Sequence, residues 1–289
     1  MINLFLTVCL TSLIYLIFRG FVHFKVQTFQ AIAVNYVICV ITGIAFSGFS
    51  DVVKEFYLLP TLYFFLPFCL AISFLLGFNL IAYSSQKISV SLSTVASRLS
   101  LILPILFSLF FFNSETKRYG FLNIVGIILV FGAILLISIP SNKESRKIQK
   151  KHLWLLPMLF LLTGFIDTLL SLANQLYNEK GVYGSLALLT FGFAAVFALI
   201  LSLIYKKSFK VRDVIGGIVL GVPNYFSVYF LTEALSSFGH DSTFVFTINN
   251  LSVIILTSVM SITLLNEKLS KVNLLGLVVS IFSLFFVIL

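Results

Sequence analysis

Long apolar runs fill most of this chain, and short polar gaps separate them. Each run is about as long as the ~20 residues that an α-helix needs to cross the hydrocarbon core of a bilayer. The gaps carry residues that end such helices, among them Arg19-Gly20 and Pro140. The pattern predicts ten transmembrane helices, at about 2–18, 28–48, 58–82, 89–112, 119–139, 153–177, 183–205, 212–235, 242–265 and 271–289.

Composition supports a membrane location. Of the 289 residues, 60% are apolar or aromatic and only 10% are charged, whereas about 25% are charged in a soluble domain. So few charges cannot cover a soluble core, and we predict an all-α membrane protein that crosses the cell (plasma or inner) membrane many times. The net charge of +9 comes from basic residues in the short gaps. They form no stripe interleaved with aromatic residues, so nucleic acid is not an expected partner.

The basic residues also predict an orientation. Counted with Arg212 and Lys271 at the edges of the following runs, the gaps after the odd-numbered runs hold fourteen Lys and Arg residues, and the gaps after the even-numbered runs hold four. Because cytoplasmic loops of membrane proteins carry the excess of Lys and Arg, we expect the odd-numbered gaps to be cytoplasmic. This count places both termini outside.

The second half of the chain repeats the first at an offset of 152 residues. The aligned pairs are Ala82 and Ala234, Ser91 and Thr243, Arg98 and Asn250, Ser100 and Ser252, and Glu115 and Glu267. We therefore predict a five-helix unit at 1–139, a basic cytoplasmic linker at 140–152 and a second five-helix unit at 153–289. An odd number of helices per unit orients the two units oppositely. Such inverted repeats are typical of secondary transporters.

Two stretches resemble the signature of EamA-type members of the drug/metabolite transporter superfamily. The first runs from Ala96 to Pro104 and continues to Glu115, Gly126 and Gly132; the second runs from Asn249-Asn250 through Asn266-Glu267-Lys268 to Gly276. The resemblance covers the whole chain as two EamA units. It implies a ten-helix carrier that moves a small metabolite without hydrolysing a nucleotide. Members of the family typically have both termini in the cytoplasm, whereas the charge count here predicts the opposite.

Polar side chains recur at helical spacing in three of the predicted helices. An Asp or Arg at the centre of a membrane helix costs about 2.5–3.5 kcal/mol, so we expect these side chains to face protein or water. At 100° per residue each set shares one face of its helix. The sets are Thr163, Asp167, Ser171, Asn174 and Asn178 in the sixth run; Ser91, Thr94, Ser97, Arg98 and Ser108 in the fourth; and Thr243, Thr247, Asn250, Thr257, Ser258 and Ser261 in the ninth.

These three faces predict a polar cavity between the repeats, with Arg98 and Asp167 as its charged residues. Arg98 would bind a carboxylate or another anionic group, and Asp167 would bind an amine or carry a coupling proton. The alternative is that the two side chains pair with each other and tie two helices together, among hydroxyls that only pack helices. The predicted substrate-binding or coupling residues are Arg98, Asp167, Asn250, Ser97, Thr94, Asn174, Ser171, Asn224 and Thr247.

Two further sequence features bear on this hypothesis. Pro223, which precedes Asn224, frees a backbone carbonyl and either breaks the eighth helix at the site or only kinks it. Glu115 and Glu267 lie at predicted helix ends beside lysines, where they would cap a helix end or act in a gate.

The sequence therefore predicts a secondary transporter and not an enzyme. It has no phosphate-binding glycine loop and no His or Cys spacing typical of a metal site, so neither a metal nor a cofactor is expected. The expected substrate is a small polar metabolite such as an amino acid, moved alone or with a proton. The alternatives are an exporter of an amphiphilic drug or a sugar with the same fold, or a structural membrane protein that transports nothing. Its other expected partner is the lipid bilayer, and it would be a monomer or a homodimer.

Overall fold

The structure, a computed structural model, describes residues 1–47, 61–104, 106, 120–137, 139, 152–180, 183–206, 208–237 and 242–288. Within these ranges the chain forms ten α-helices, one 3-10 turn and no strand. The all-α fold class is therefore confirmed. The predicted linker at 140–152 lies outside the described residues except for His152. Also outside are Ser108, Glu115 and the side chains of Asn174, Asn178 and Thr243.

Each predicted run overlaps one of the described helices. The helices are α1 (Ile2–His23), α2 (Thr28–Ser47), α3 (Phe65–Lys87), α4 (Val90–Leu99), α5 (Phe121–Ile137), α6 (Leu155–Lys180), α7 (Tyr183–Ile204), α8 (Val211–Ser237), α9 (Ser242–Leu264) and α10 (Lys271–Ile288). The 3-10 turn, Thr61–Phe64, leads into α3. Helical residues resume after α4 at 102–104.

Four helices extend beyond their predicted ends, and α1 and α3 do so the furthest. We predicted that α1 would end at residue 18 and α3 at residue 82, but both continue through their polar last turns. The reason is that polar side chains in each of these turns form hydrogen bonds with backbone carbonyls of the other. Arg19 Nη1 of α1 donates hydrogen bonds to the carbonyls of Ser85 and Gln86, and Gln86 Nε2 donates to the carbonyl of Phe18 at 3.0 Å. Polar residues that looked like helix ends are thus helical residues that join α1 to α3.

Seven of the described helices are long and apolar enough to cross a bilayer: α1, α2, α3, α6, α7, α8 and α9. Only 33–50% of the residues in their apolar windows are buried inside the protein, so the remainder forms an apolar outer surface that suits lipid. The chain is accordingly a multi-pass membrane protein, as predicted. The apolar helices that include α4, α5 and α10 are shorter, and ten crossings remains a prediction.

The helices α5 and α10 pack antiparallel and cap each other. Asn123 Nδ2, in the first turn of α5, donates to the carbonyls of Phe286 and Val287 at 3.3 and 3.2 Å. Asn273 Nδ2, in the first turn of α10, donates to the carbonyl of Ile137 at 3.2 Å and to its neighbours. Each asparagine satisfies carbonyls that the end of the partner helix would otherwise leave without donors.

Two apolar cores flank a central space. One core surrounds α5 and α10 and includes side chains of α4, α6 and α9. The other surrounds α2 and α7 and includes side chains of α1, α3 and α8. Between these cores, α1, α3, α4, α6, α8 and α9 each contribute residues to a single cavity.

Candidate functional site

The central cavity has a volume of about 170 Å³ and contains polar groups from five of the six helices that line it. It brings together four of the residues that the sequence predicted for the site: Arg98, Asp167, Ser97 and Asn224. They come from α4, α6 and α8, which belong to different halves of the chain. The polar lining residues are Thr7, Thr11, Tyr15, Ser97, Arg98, Thr163, Asp167, Asn224, Ser227 and Asn249.

Arg98 is held in the cavity by neutral groups. Its Nη1 donates a hydrogen bond to Asn250 Oδ1 at 3.3 Å, and its Cζ lies 5.7 Å from the centroid of the Tyr15 ring, a cation–π distance. Tyr15 is fixed in turn by a hydrogen bond of 2.5 Å between its hydroxyl and Ser97 Oγ. Arg98 Nε is buried and has no hydrogen-bond partner among the described residues. The guanidinium is therefore oriented but not fully satisfied.

Asp167 lies near the middle of α6 and accepts a hydrogen bond from Ser100 Oγ, at 2.7 Å to Oδ2. Arg98 is near enough to attract this carboxylate electrostatically. However, no nitrogen of Arg98 lies within 4.0 Å of an Asp167 oxygen, both side chains being described. The direct pairing that we considered as the alternative is not present, because each charged group has a neutral partner of its own.

Four other predicted site residues are not part of the cavity lining in the described structure: Asn250, Thr94, Thr247 and Ser171. Asn250 Oδ1 accepts the hydrogen bond from Arg98 that is described above. Thr94 is buried and donates to the carbonyl of Val90 in its own helix at 2.9 Å, and Thr247 is buried in α9. Ser171 is half-buried in α6, and Asn174 is in α6 but its side chain lies outside the described residues.

Sequence reasoning missed the contribution of α1. Thr7, Thr11 and Tyr15 all line the cavity, and their four-residue spacing places them on one face of a helix. That spacing was visible in the sequence, within a run that otherwise reads as apolar. Asn249 was missed for a different reason. It is adjacent to Asn250, and so lies about 100° from the polar face that we assigned to the ninth helix.

Pro223 does not break the helix at the site. The helix α8 is continuous from Val211 to Ser237, so the broken-helix hypothesis is wrong. On the N-terminal side of the proline, Gly221 lets α8 approach α2 closely: a Cβ there would lie 2.9 Å from the carbonyl oxygen of Asn35. Just after the proline, Asn224 Nδ2 donates to Asn35 Oδ1 at 3.2 Å. These contacts with α2 hold α8 together across the missing backbone hydrogen bond.

A larger cavity, of about 220 Å³, lies at the odd-gap face, by which we mean the helix ends next to the odd-numbered gaps. Four of its six polar side chains are already hydrogen-bonded: Arg19, Ser89, Glu267 and Asn273. Glu267 Oε1 accepts from the amide of Val90 at 2.7 Å, and Oε2 accepts from Ser89 Oγ at 2.7 Å and from the amide of Ser91 at 3.3 Å. Glu267 is thus confirmed as a helix-capping residue, although the helix that it caps is α4, where a negative charge is favourable. This engagement makes the larger cavity the weaker candidate for a binding site.

In the described ranges, no group of three or more His, Cys, Asp or Glu side chains is placed to hold a metal ion. The chemistry that the central cavity offers is therefore that of one guanidinium, one carboxylate, amides and hydroxyls. These groups bind polar ligands and exchange protons.

Comparison with known proteins identifies a related protein and a solved structure with a similar fold. No known protein-family profile matches the chain. It is 31% identical over 222 residues to a protein of Haemophilus influenzae that is described only as uncharacterized, and the match covers 76% of this chain and 74% of that protein. The chain belongs to the family of that protein.

The whole chain also resembles a solved crystal structure that is described only as that of a protein. The TM-score is 0.59 at 10% sequence identity, and the match covers 97% of this chain and 96% of the other. At this identity the likeness concerns the fold alone.

Proposed function

We propose that the protein is a secondary carrier that moves a small polar metabolite, such as an amino acid, across the cell (plasma or inner) membrane by alternating access. The observation that carries the proposal is the central cavity with Arg98 and Asp167 in its lining. Ionisable side chains inside a membrane protein are costly, and they mark the pathways of substrates and protons. A passive helical bundle gains nothing from such a cavity.

The contacts between the two halves support the inverted repeat, and with it membership of the EamA-type transporters. Arg98 and Asn250, which the 152-residue offset aligns, are hydrogen-bonded to each other. Two-fold symmetry produces such contacts, because residues near the axis meet their own equivalents. Away from the axis, Asn123 caps α10 as Asn273 caps α5. We take 1–139 and 153–289 as the two units, each crossing the membrane five times.

In this carrier the two charged residues have different tasks. Arg98 binds the anionic group of the substrate, since its planar guanidinium stays charged and directs several donors. Asp167 either binds a cationic group of the substrate or carries the proton that drives transport. The hydroxyl and amide groups of the lining complete the polar surface.

Alternating access requires a face of the protein that opens and closes. At the odd-gap face, hydrogen bonds join the helix ends and can hold that face closed. Glu267, between α9 and α10, is bonded to the first turn of α4 in the other half of the chain. Arg19 and Gln86 join α1 to α3 at the same face. We take this network as the closed gate of the state described, so that opening this face requires Glu267 to leave α4.

The gate predicts a change in accessibility. Leu92 is buried and lines the odd-gap cavity, so we introduce Leu92→Cys in a chain whose native cysteines are replaced by alanine. Glu267→Ala removes three hydrogen bonds to α4 and is expected to raise the rate at which a maleimide labels Cys at position 92. Lys268→Ala is the control, because Lys268 lies in the same turn and lines the same cavity. Equal labelling rates in the parent and in Glu267→Ala would contradict the gate.

The carrier function is tested by reconstituting the purified protein into liposomes. We expect saturable uptake of one class among labelled amino acids, sugars, nucleosides and amphiphilic cations, with acceleration by unlabelled solute on the opposite side. Acceleration of this kind separates a carrier from a channel. Arg98→Ala is expected to abolish the uptake. If none of these solutes enters faster than into empty liposomes, the proposal fails in favour of a structural membrane protein.

A further inference from the structure

Some polar groups of the central cavity already form hydrogen bonds within the protein, and others remain open because they have no such partner. Most hydroxyls are used, since Thr7, Thr163 and Ser227 donate to backbone carbonyls. Asn224 Nδ2 is used as well, since it donates to Asn35 Oδ1. A ligand in this cavity therefore meets few free hydroxyl donors, although the lining looks rich in threonine and serine.

The open groups include one cationic donor and two acceptors. Arg98 Nε is buried without a hydrogen-bond partner in the part of the chain that the structure describes, and so is Asn249 Oδ1. Asn249 is 98% buried, because only 2% of its surface is exposed. Asp167 uses Oδ2 to accept from Ser100, and its Oδ1 has no donor within the described ranges. A buried polar atom without a partner is costly, so these atoms together point to a ligand that supplies an anionic acceptor and a cationic donor.

The rest of the lining is apolar. Ten of the twenty lining residues are hydrophobic side chains or glycine, including the rings of Phe18, Phe74 and Phe78. An apolar wall of this kind favours a ligand with a hydrocarbon or aromatic portion and offers nothing to an additional charge.

We infer that the substrate of this cavity is an α-amino acid with an apolar side chain. Its carboxylate would bind the guanidinium of Arg98, its ammonium would bind Asn249 Oδ1, and its side chain would lie against the phenylalanines. A sugar fits less well, because most of the hydroxyls that it would need are already hydrogen-bonded within the protein. An amphiphilic cation fits less well too, because it leaves Arg98 Nε buried without a partner and adds a like charge. This inference rests on the proposed carrier function and names its substrate class.

The test compares ligands on the unchanged protein, so that misfolding of a variant cannot decide it. Binding to the purified protein in detergent is measured by calorimetry for L-leucine and L-phenylalanine. The same is done for 2-phenylethylamine, which lacks the carboxylate, for 3-phenylpropanoate, which lacks the amine, and for L-glutamate and glucose. We expect both apolar amino acids to bind. Loss of either charged group should weaken binding by about tenfold or more, because it leaves a buried partner unsatisfied.

Two variants then assign the groups. Asn249→Leu is expected to weaken L-phenylalanine binding by about tenfold and to leave the weaker 3-phenylpropanoate binding nearly unchanged, because contacting groups give non-additive losses. Arg98→Lys keeps the charge and removes the Nε donor. It should weaken the binding of L-phenylalanine and of 3-phenylpropanoate, because both carry a carboxylate. Asn79→Leu is the matched control, since Asn79 donates to the carbonyl of Leu75 in its own helix and does not line the cavity as described.

The outcomes separate this inference from the carrier function. Binding and liposome uptake of a sugar or of 2-phenylethylamine, without binding of the amino acids, would overturn the substrate class and leave the carrier in place. Binding of L-glutamate as tight as that of L-leucine would also overturn it. Absence of any binding together with absence of any uptake would overturn both.

Discussion

Asp167→Asn is expected to abolish transport driven by a pH gradient and to preserve exchange of substrate at equal pH. Asparagine retains the shape of the side chain and an oxygen that accepts from Ser100, as Asp167 Oδ2 does. It cannot bind and release a proton, so a carrier that is coupled through this residue would exchange solute and no longer accumulate it. The measurement is uptake of labelled L-leucine into liposomes, first with an imposed pH gradient and then with internal unlabelled L-leucine at equal pH.

Two variants sharpen this prediction. Ser100→Ala removes the hydrogen bond to Asp167 while keeping the carboxylate, and should leave gradient-driven uptake measurable. Arg98→Ala should abolish both gradient-driven uptake and exchange, because it removes the binding group. If Asp167→Asn also abolishes both activities, Asp167 binds the substrate or maintains the structure, and it is not the proton carrier.

Gly126→Leu is expected to destabilise the protein by about 1–3 kcal/mol, the usual cost of forcing extra atoms into a packed interface. A Cβ at Gly126 would lie 2.8 Å from the amide nitrogen of Val287 and 2.9 Å from the carbonyl oxygen of Ser283, both in α10. Backbone atoms cannot move aside as a flexible side chain can, so α5 and α10 would have to separate. That separation would also strain the bonds of Asn123 and Asn273 to the partner helix. The measurement is the midpoint of thermal unfolding in detergent.

The same helix provides the control. A Cβ at Gly132 would have no atom within 4 Å, so Gly132→Leu makes the same chemical change without the contact. Leucine is also a better helix former than glycine by about 1 kcal/mol, and the control variant should melt at or above the parent temperature. Equal melting of the two variants would show that α5 and α10 do not depend on their close approach.

The helices were largely predictable from the sequence because bilayer-length apolar runs are a strong signal. Their ends were less predictable. A polar residue such as Gln86 ends a helix only if nothing in the fold satisfies it, and here a carbonyl of α1 does so. Hydropathy cannot supply this information, because the partner is 68 residues away in the chain.

The candidate site was predicted in part, for a related reason. Arg98 and Asp167 stand out because charges are rare in apolar runs, and the structure places both in one cavity. Tyr15 gives no such signal, since a tyrosine in a membrane helix is ordinary. Its importance comes from its position below the guanidinium of Arg98. Periodicity shows which face of a helix is polar, but not which helix that face will meet.

The hydrogen bond between Arg98 and Asn250 has a consequence for how such a chain can arise. If the halves descend from one ancestral five-helix protein that assembled as an antiparallel homodimer, the ancestral residue at this position met its own copy across the axis. Two arginines there would repel each other, and two asparagines would offer the substrate no charge. Fusing the two genes allows the positions to diverge, so that one copy becomes the cation and the other its support. Under this descent, a single guanidinium at this position is a feature that duplication and fusion make available and that a symmetric dimer could not adopt.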